Sequence, residues 1–138
     1  MKKHLVWLLP ISVAVIILVL FRTVFLLGYV PTESMEPTLE KGSFIMGTRL
    51  YGELKTGDVV VFEHEGTIMV KRIAACPGEE LTVNGICYYV PDNCYFMLGD
   101  NANNSYDSRY WNSPYVEEDQ IIAKMIIPTN KVDSSEAS

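Results

Sequence analysis

A small, mostly β domain behind one N-terminal membrane-spanning helix is the fold class this 138-residue sequence predicts. The β part is expected to be antiparallel and closed into a barrel or sandwiched, so that its strand edges are protected. Three observations carry the prediction. The chain opens on a long uncharged apolar run. From Ser43 onward, short runs of β-forming residues alternate with turn residues. After the opening run, no helical period of useful length occurs.

"MKKH" precedes "LVWLLPISVAVIILVLF", which holds no charge from Leu5 to Phe21. At about 1.5 Å rise per residue this run covers roughly 26 Å, close to the ~30 Å hydrocarbon core of a bilayer. Arg22 can extend its head to the interface, and "TVFLLGYV" continues the apolar character. A cleaved secretory signal also begins with Lys and an apolar run. However, this run is long for such a segment, and no Ala-x-Ala-like site follows in "FRTVFLLGYVPT". Lys2 and Lys3 outweigh Arg22 as flanking positive charge, which places the N-terminus in the cytoplasm and everything after Tyr29 outside.

"SFIMGTRL" reads as a strand with a bulge at Gly47. "DVVVFEHEGTIMVKRIA" reads as two strands joined near Glu65-Gly66. In "LTVNGICYYV", Asn84-Gly85 between β-formers is the strongest short hairpin signal. "CYFMLGD" and "QIIAKMII" supply two more strands. The expected division is a cytoplasmic stub and anchor over residues 1–28, an extracytoplasmic β domain over 29–128, and a polar flexible tail over 129–138.

A formal charge of −6 argues against nucleic acid as a partner, since that would reward clustered Lys and Arg. Cys87 and Cys94 bracket "YYVPDN" and can meet across a hairpin if oxidised, although spacing alone does not establish the geometry. No further Cys or His pair stands at zinc-binding spacing, so neither a metal nor another cofactor is expected. Cys76 reads as a small buried residue.

Ser34, in "PTESMEPTL", is either a turn residue or a nucleophile. As a nucleophile it needs a base, yet the chain has only two histidines, His4 at the extreme N-terminus and His64 in an expected turn. Strand alternation in "TIMVKRI" puts Met69, Lys71 and Ile73 on one face and Ile68, Val70 and Arg72 on the other. Lys71 therefore points into apolar company. There the neutral amine is favoured, and a neutral amine is a competent general base where Arg is not. The bland alternative is a lysine that snorkels from the sheet into water. "GDNANNSYDSRYW", residues 99–111, reads as an ordered polar loop in which Asp107 and Arg109 can pair, or as ordinary surface Asx turns.

Taken together, these stretches resemble bacterial type I signal peptidases, also called leader peptidases, from the anchor to about Ile127. "SMEPTL" is similar to the family's nucleophile box and "GDVVVF", from Gly57, to its second strand box. "VKRIAACPGE", from Val70, is similar to the lysine box, and "GDNANNSYDSRYW" to the last box. The resemblance implies a membrane-anchored serine endopeptidase with a Ser34–Lys71 dyad and a mostly β catalytic domain. It implies an oxyanion hole from the Ser34 N–H and the Thr32 hydroxyl. Ser105 would orient the lysine, Asp107 with Arg109 would hold the loop, and Arg72 would be structural. Ala75 departs from the glycine usual at its position. The large inserted β domain and second spanning segment of some relatives have no counterpart, so the chain resembles a minimal, single-anchor member.

The implied substrates are signal-peptide-bearing preproteins, cut after small residues in an Ala-x-Ala pattern and bound as an added strand. The enzyme is expected as a monomer in the bilayer, single-pass. About six residues separate Leu27 from Ser34, so Ser34 should lie within roughly 25 Å of the membrane exit. Two rivals stand beside this reading. A self-cleaving repressor of the SOS type shares the dyad but would be soluble, with a basic DNA-binding domain. A membrane-anchored β module for binding or assembly would leave a preprotein intact where a peptidase would shorten it.

Overall fold

The computed structural model describes residues 3–126. The polar tail expected over 129–138 lies outside them, as does the last residue of "QIIAKMII".

Helix α1 spans Leu5–Val24 and buries none of its side chains within the protein. Its apolar surface runs all the way round, which suits lipid rather than a one-sided protein core. The two hydroxyls within it are satisfied locally, Ser12 bonding the Leu9 carbonyl and Thr23 the Leu20 carbonyl, each at 2.8 Å. Neither hydroxyl is thereby left without a partner.

The helix stops at Val24, where Phe25 turns to an extended conformation while its N–H still bonds the Phe21 carbonyl. Strand β1, Phe25–Tyr29, follows with no intervening linker. The stretch that continues the apolar character of the anchor is thus sheet. It is rich in aromatic and branched residues and pairs along its whole length with β2, Phe44–Thr48.

The remaining strands are β3 Val59–His64, β4 Thr67–Ala75, β5 Glu80–Val83, β6 Ile86–Tyr89, β7 Cys94–Leu98, β8 Tyr115–Glu117 and β9 Ile121–Met125. Seven form one antiparallel sheet in the order β1-β2-β9-β3-β4-β7-β8, and β5-β6 form a separate hairpin. The large sheet is open at β1 and β8, so the architecture is sandwich-like and not a closed barrel.

Two hairpins follow directly from turn chemistry. Glu65 and Gly66, at φ 48° and 78°, join β3 to β4, and Asn84 and Gly85, at 52° and 79°, join β5 to β6. Both central residues are left-handed in each, as a two-residue turn matched to strand twist requires. Strand β3 lies mid-sheet and is covered on both faces. Val60 and Phe62 enter a core with Ile73, Met97, Val116 and Trp111, while Val59 and Val61 enter a second core with Met35, Leu39 and Met125. The unbroken "VVVF" is the signature of such two-sided burial. A third cluster, Ala75, Val90 and Phe96, seats the β5-β6 hairpin.

Gly47 makes no bulge. It stays in register with Leu26 on one side and Met125 on the other. Its lack of a side chain instead admits strand β9, since an added Cβ would stand 3.1 Å from the Lys124 carbonyl and 3.3 Å from the Ala123 Cβ. Gly47→Val is therefore expected to destabilise the fold by about 1–3 kcal/mol through overpacking. Thermal melting of the detergent-solubilised chain, followed by circular dichroism, reads the shift.

Candidate active site

The chain leaves β1 into a compact turn that carries Ser34. Val30 N–H bonds the Ser43 carbonyl and Gly42 N–H bonds the Val30 carbonyl, which closes the base of the turn. Met35 and Leu39 are both buried in the second core and pin the turn from beneath. Ser34 is held between these anchors and is only 6% exposed.

Lys71 reaches the same point from mid-sheet. It sits opposite Val60 in the β3-β4 ladder and is 5% exposed. Its Nζ lies 2.6 Å from Ser34 Oγ. Burial pushes the Lys71 amine below its ordinary pKa, and the nearby Asp107 charge opposes this. The structure thus sets a nucleophile-capable hydroxyl against an amine whose neutral form is favoured. The Thr32 hydroxyl stands 3.1 Å from Ser34 Oγ, on the same turn.

The loop after β7 packs over this pair. Burial raises the Asp107 carboxyl, but Arg109, the Gly99 N–H and the Ser105 hydroxyl outweigh it and hold the group below the usual carboxylate range. Arg109 Nε meets Asp107 Oδ1 at 2.8 Å, and Asp107 is fully buried. The Ser105 hydroxyl donates to Asp107 at 2.8 Å. Among the described residues the hydrogen bond of Lys71 runs to Ser34 and not to Ser105. Ser105 therefore bears on the pair through Asp107, whose charge acts on Lys71.

Arg72, on the opposite face of β4 from Lys71, forks onto Asp100 through Nε at 2.8 Å and a terminal nitrogen at 2.7 Å, and reaches the Gly57 carbonyl. Thr38 bonds the same carboxylate. Asp100 thus ties the strand, the Ser34 turn and the loop together. It lies inside the quoted loop motif, yet nothing in the sequence marks its partner 28 residues away. Gly99 is the other residue without a sequence signal. An added Cβ would fall 2.0 Å from Ser105 Oγ and 2.6 Å from the Ser34 carbonyl, so the loop and the turn can approach only over a bare backbone.

His64 is the last residue of β3, buried and stacked on Trp111 at 3.9 Å between ring centroids. That position corrects the turn expected for it and leaves it no part beside Ser34. The pairing left open for Cys87 and Cys94 is not made, since both are free thiols, as is Cys76. Cys87 pairs with Thr82 in the small hairpin and Cys94 with Glu117 in the large sheet, so they are not cross-strand partners.

A cleft of about 1140 Å³ opens beside Ser34 and Lys71, walled by residues from β1, the Ser34 turn, β4 and the loop. Strand β7 pairs with β4 only from Arg72 to Ala75. The Thr67–Lys71 stretch of β4 therefore presents an edge without a strand partner among the described residues. Replacing Asp107 with Asn leaves the Arg109 guanidinium without its counter-ion and is expected to cost about 3–5 kcal/mol. Because the folded Asp107 carboxyl is held below its unfolded value of about 3.9, its contribution is complete above that value and lost as pH falls through the lower, folded one. Chemical denaturation of wild type and Asp107→Asn between neutral and strongly acidic pH should show the difference narrowing only at the acidic end.

Comparison with known proteins places this geometry. The family model for "Signal peptidase, peptidase S26" matches residues 3–86 and 81–129. A Synechocystis protein named probable signal peptidase I-2 is 30% identical over 72% of this chain and 60% of its own length. Signal peptidase I S of Bacillus subtilis is 30% identical over 78% of this chain and 79% of its own. A Staphylococcus aureus protein named inactive signal peptidase IA is 25% identical over 79% and 83%. With a family model running from the anchor through the Ser34 turn, the Lys71 strand and the loop beyond, the chain belongs to the signal peptidase family, peptidase S26.

Proposed function

We propose that this protein is a membrane-anchored serine endopeptidase that removes signal peptides from exported preproteins, with Ser34 as nucleophile and Lys71 as general base. The observation that carries the reading is the 2.6 Å separation of Lys71 Nζ and Ser34 Oγ, with both residues buried.

The neutral amine takes the Ser34 proton as Oγ attacks the scissile carbonyl carbon. Charge develops on the carbonyl oxygen, and the Ser34 N–H with the Thr32 hydroxyl receive it. As the tetrahedral intermediate collapses, the C–N bond breaks and the Lys71 ammonium returns its proton to the leaving amine. A water molecule, deprotonated by the same amine, then cleaves the acyl ester and frees Ser34. The substrate lies extended along the unpaired edge of β4, gaining backbone hydrogen bonds there. An Ala-x-Ala preference fits the family reading, because small side chains bring the scissile bond close to so tightly packed a turn.

Helix α1 suits a single membrane pass, and its direct continuation into β1 holds the Ser34 turn near the bilayer surface. The lysine-rich start favours a cytoplasmic N-terminus and an extracytoplasmic site. The protein acts as a monomer in this reading, since a single copy supplies Ser34, Lys71 and Thr32. A second reading, a catalytically silent module, is prompted by the relative named inactive. The close Ser34–Lys71 contact favours the active form.

Ser34→Ala and Lys71→Ala should each lower preprotein cleavage by at least about a thousandfold with the fold retained. Lys71→Arg should fail as well, since a guanidinium stays protonated. Gel analysis of a purified preprotein incubated with each variant checks all three, and a wild type that leaves the preprotein whole would favour the silent module. With neutral amine as the working form, the rate should fall on acidification through the lowered Lys71 pKa and level off above it. A rate that stays flat well below neutrality would exclude Lys71 as the base. Gly99→Ala is expected to reduce cleavage by about a hundredfold or more by pushing Ser105 or the Ser34 carbonyl aside, with little change in circular dichroism.

A further inference from the structure

The residue before Ser34 is gripped from across the site. Asn101 Nδ2 donates to the Glu33 carbonyl oxygen at 3.0 Å, and Asn104 Nδ2 donates to the Glu33 carboxylate at 2.9 Å. The Asn101 backbone N–H also donates to the Ser34 carbonyl at 2.9 Å. Both Glu33 groups are pure acceptors, so each asparagine must turn its amide nitrogen toward them. The two asparagines are joined to each other by the Asn104 N–H and Asn101 carbonyl across the short turn Ala102–Asn104. Lys41 stands 3.9 Å from the other Glu33 oxygen, but both side chains are about half exposed and the attraction is screened.

One of these bonds, from Asn101 Nδ2, falls on the Glu33–Ser34 peptide itself, while the other two hold the Glu33 side chain and the following peptide. The Glu33–Ser34 peptide is planar, so fixing its carbonyl fixes the direction of its N–H. That N–H is the backbone oxyanion donor of the proposed mechanism. Donation to the carbonyl oxygen also polarises the amide and makes its N–H a stronger donor. We propose that Asn101 and Asn104 are positioning residues for the oxyanion hole, gripping Glu33 so that the Ser34 N–H is aimed into the cleft. The inference rests on the reading of Ser34 as the nucleophile, and it adds Glu33 as the handle through which the loop acts.

The test uses the full chain in detergent. Asn101→Ala and Asn104→Ala should each lower kcat by about three- to thirtyfold, less than outright loss of an oxyanion donor, with KM unchanged. Affinity for a peptide boronate, which forms a tetrahedral adduct on serine, should fall in parallel, while affinity for an uncleavable peptide should hold. Asn104→Asp sets carboxylate against carboxylate and should be worse than Asn104→Ala. Adding Glu33→Gln to Asn104→Asp exchanges amide and carboxylate and should restore most of the rate. Unchanged kcat in both alanine variants, a loss carried by KM, or a double exchange no better than Asn104→Asp would each overturn the proposal. Should the wild type cleave nothing, the Ser34 reading fails on its own account, and amide exchange then decides the grip. The Asn101 and Glu36 N–H groups bond the Ser34 and Glu33 carbonyls. Faster exchange of these in Asn104→Ala supports the grip, and unchanged exchange refutes it.

Discussion

The structure depends on keeping one amine out of water. Lys71 is buried against Ser34, and among the described residues no carboxylate in direct contact restores the hydration an ammonium there forfeits. Asp107 is near enough to matter but is itself committed to Arg109, Gly99 and Ser105. Its negative charge is therefore largely spent, and desolvation dominates at Lys71. A carboxylate bonded straight to Lys71 would hold it charged and unable to accept a proton. The Asp107–Arg109 pair thus lets a loop rich in polar groups pack over the Lys71 amine without holding it charged.

The second constraint is distance along the chain. Ser34 and Lys71 lie 37 residues apart and the loop lies further still, so three segments must be brought to one point. Burial of Met35 and Leu39 fixes the first segment, mid-sheet pairing with Val60 fixes the second, and Asp100 stitches the third to Thr38 and Arg72. None of these contacts is chemically reactive. They bring a turn, a strand and a loop so close that a side chain at position 99 would collide with Ser105 and the Ser34 carbonyl.

How much of this was legible beforehand varies by element. The Asn84-Gly85 and Glu65-Gly66 hairpins could be read because the turn chemistry is local, and Lys71 could be set on the face of Ile73 by alternation alone. Strand β1 could not be separated from the anchor, since hydropathy is the same for lipid-facing helix and half-buried sheet. Gly47 reads as a bulge, and only the position of β9 shows that it serves a close approach instead. The bond from Asp100 to Arg72 depends on how the sheet is threaded, which no window of sequence contains. Cys87 and Cys94 have hairpin-like spacing, yet the chain uses that span to pass from one sheet to another. His64 reads as a turn residue from its neighbours Glu65 and Gly66, yet it closes strand β3.

The seamless passage from α1 into β1 has a mechanical meaning. With Phe25 bonded back to Phe21 and already paired with Thr48, no swivel separates the spanning segment from the sheet. An added residue in the helix would turn everything beyond it by about 100° and lift it by about 1.5 Å. In the proposed membrane-anchored enzyme, α1 would thus be keyed to the sheet like a shaft to its bit, and lipid thickness would set the height of the cleft.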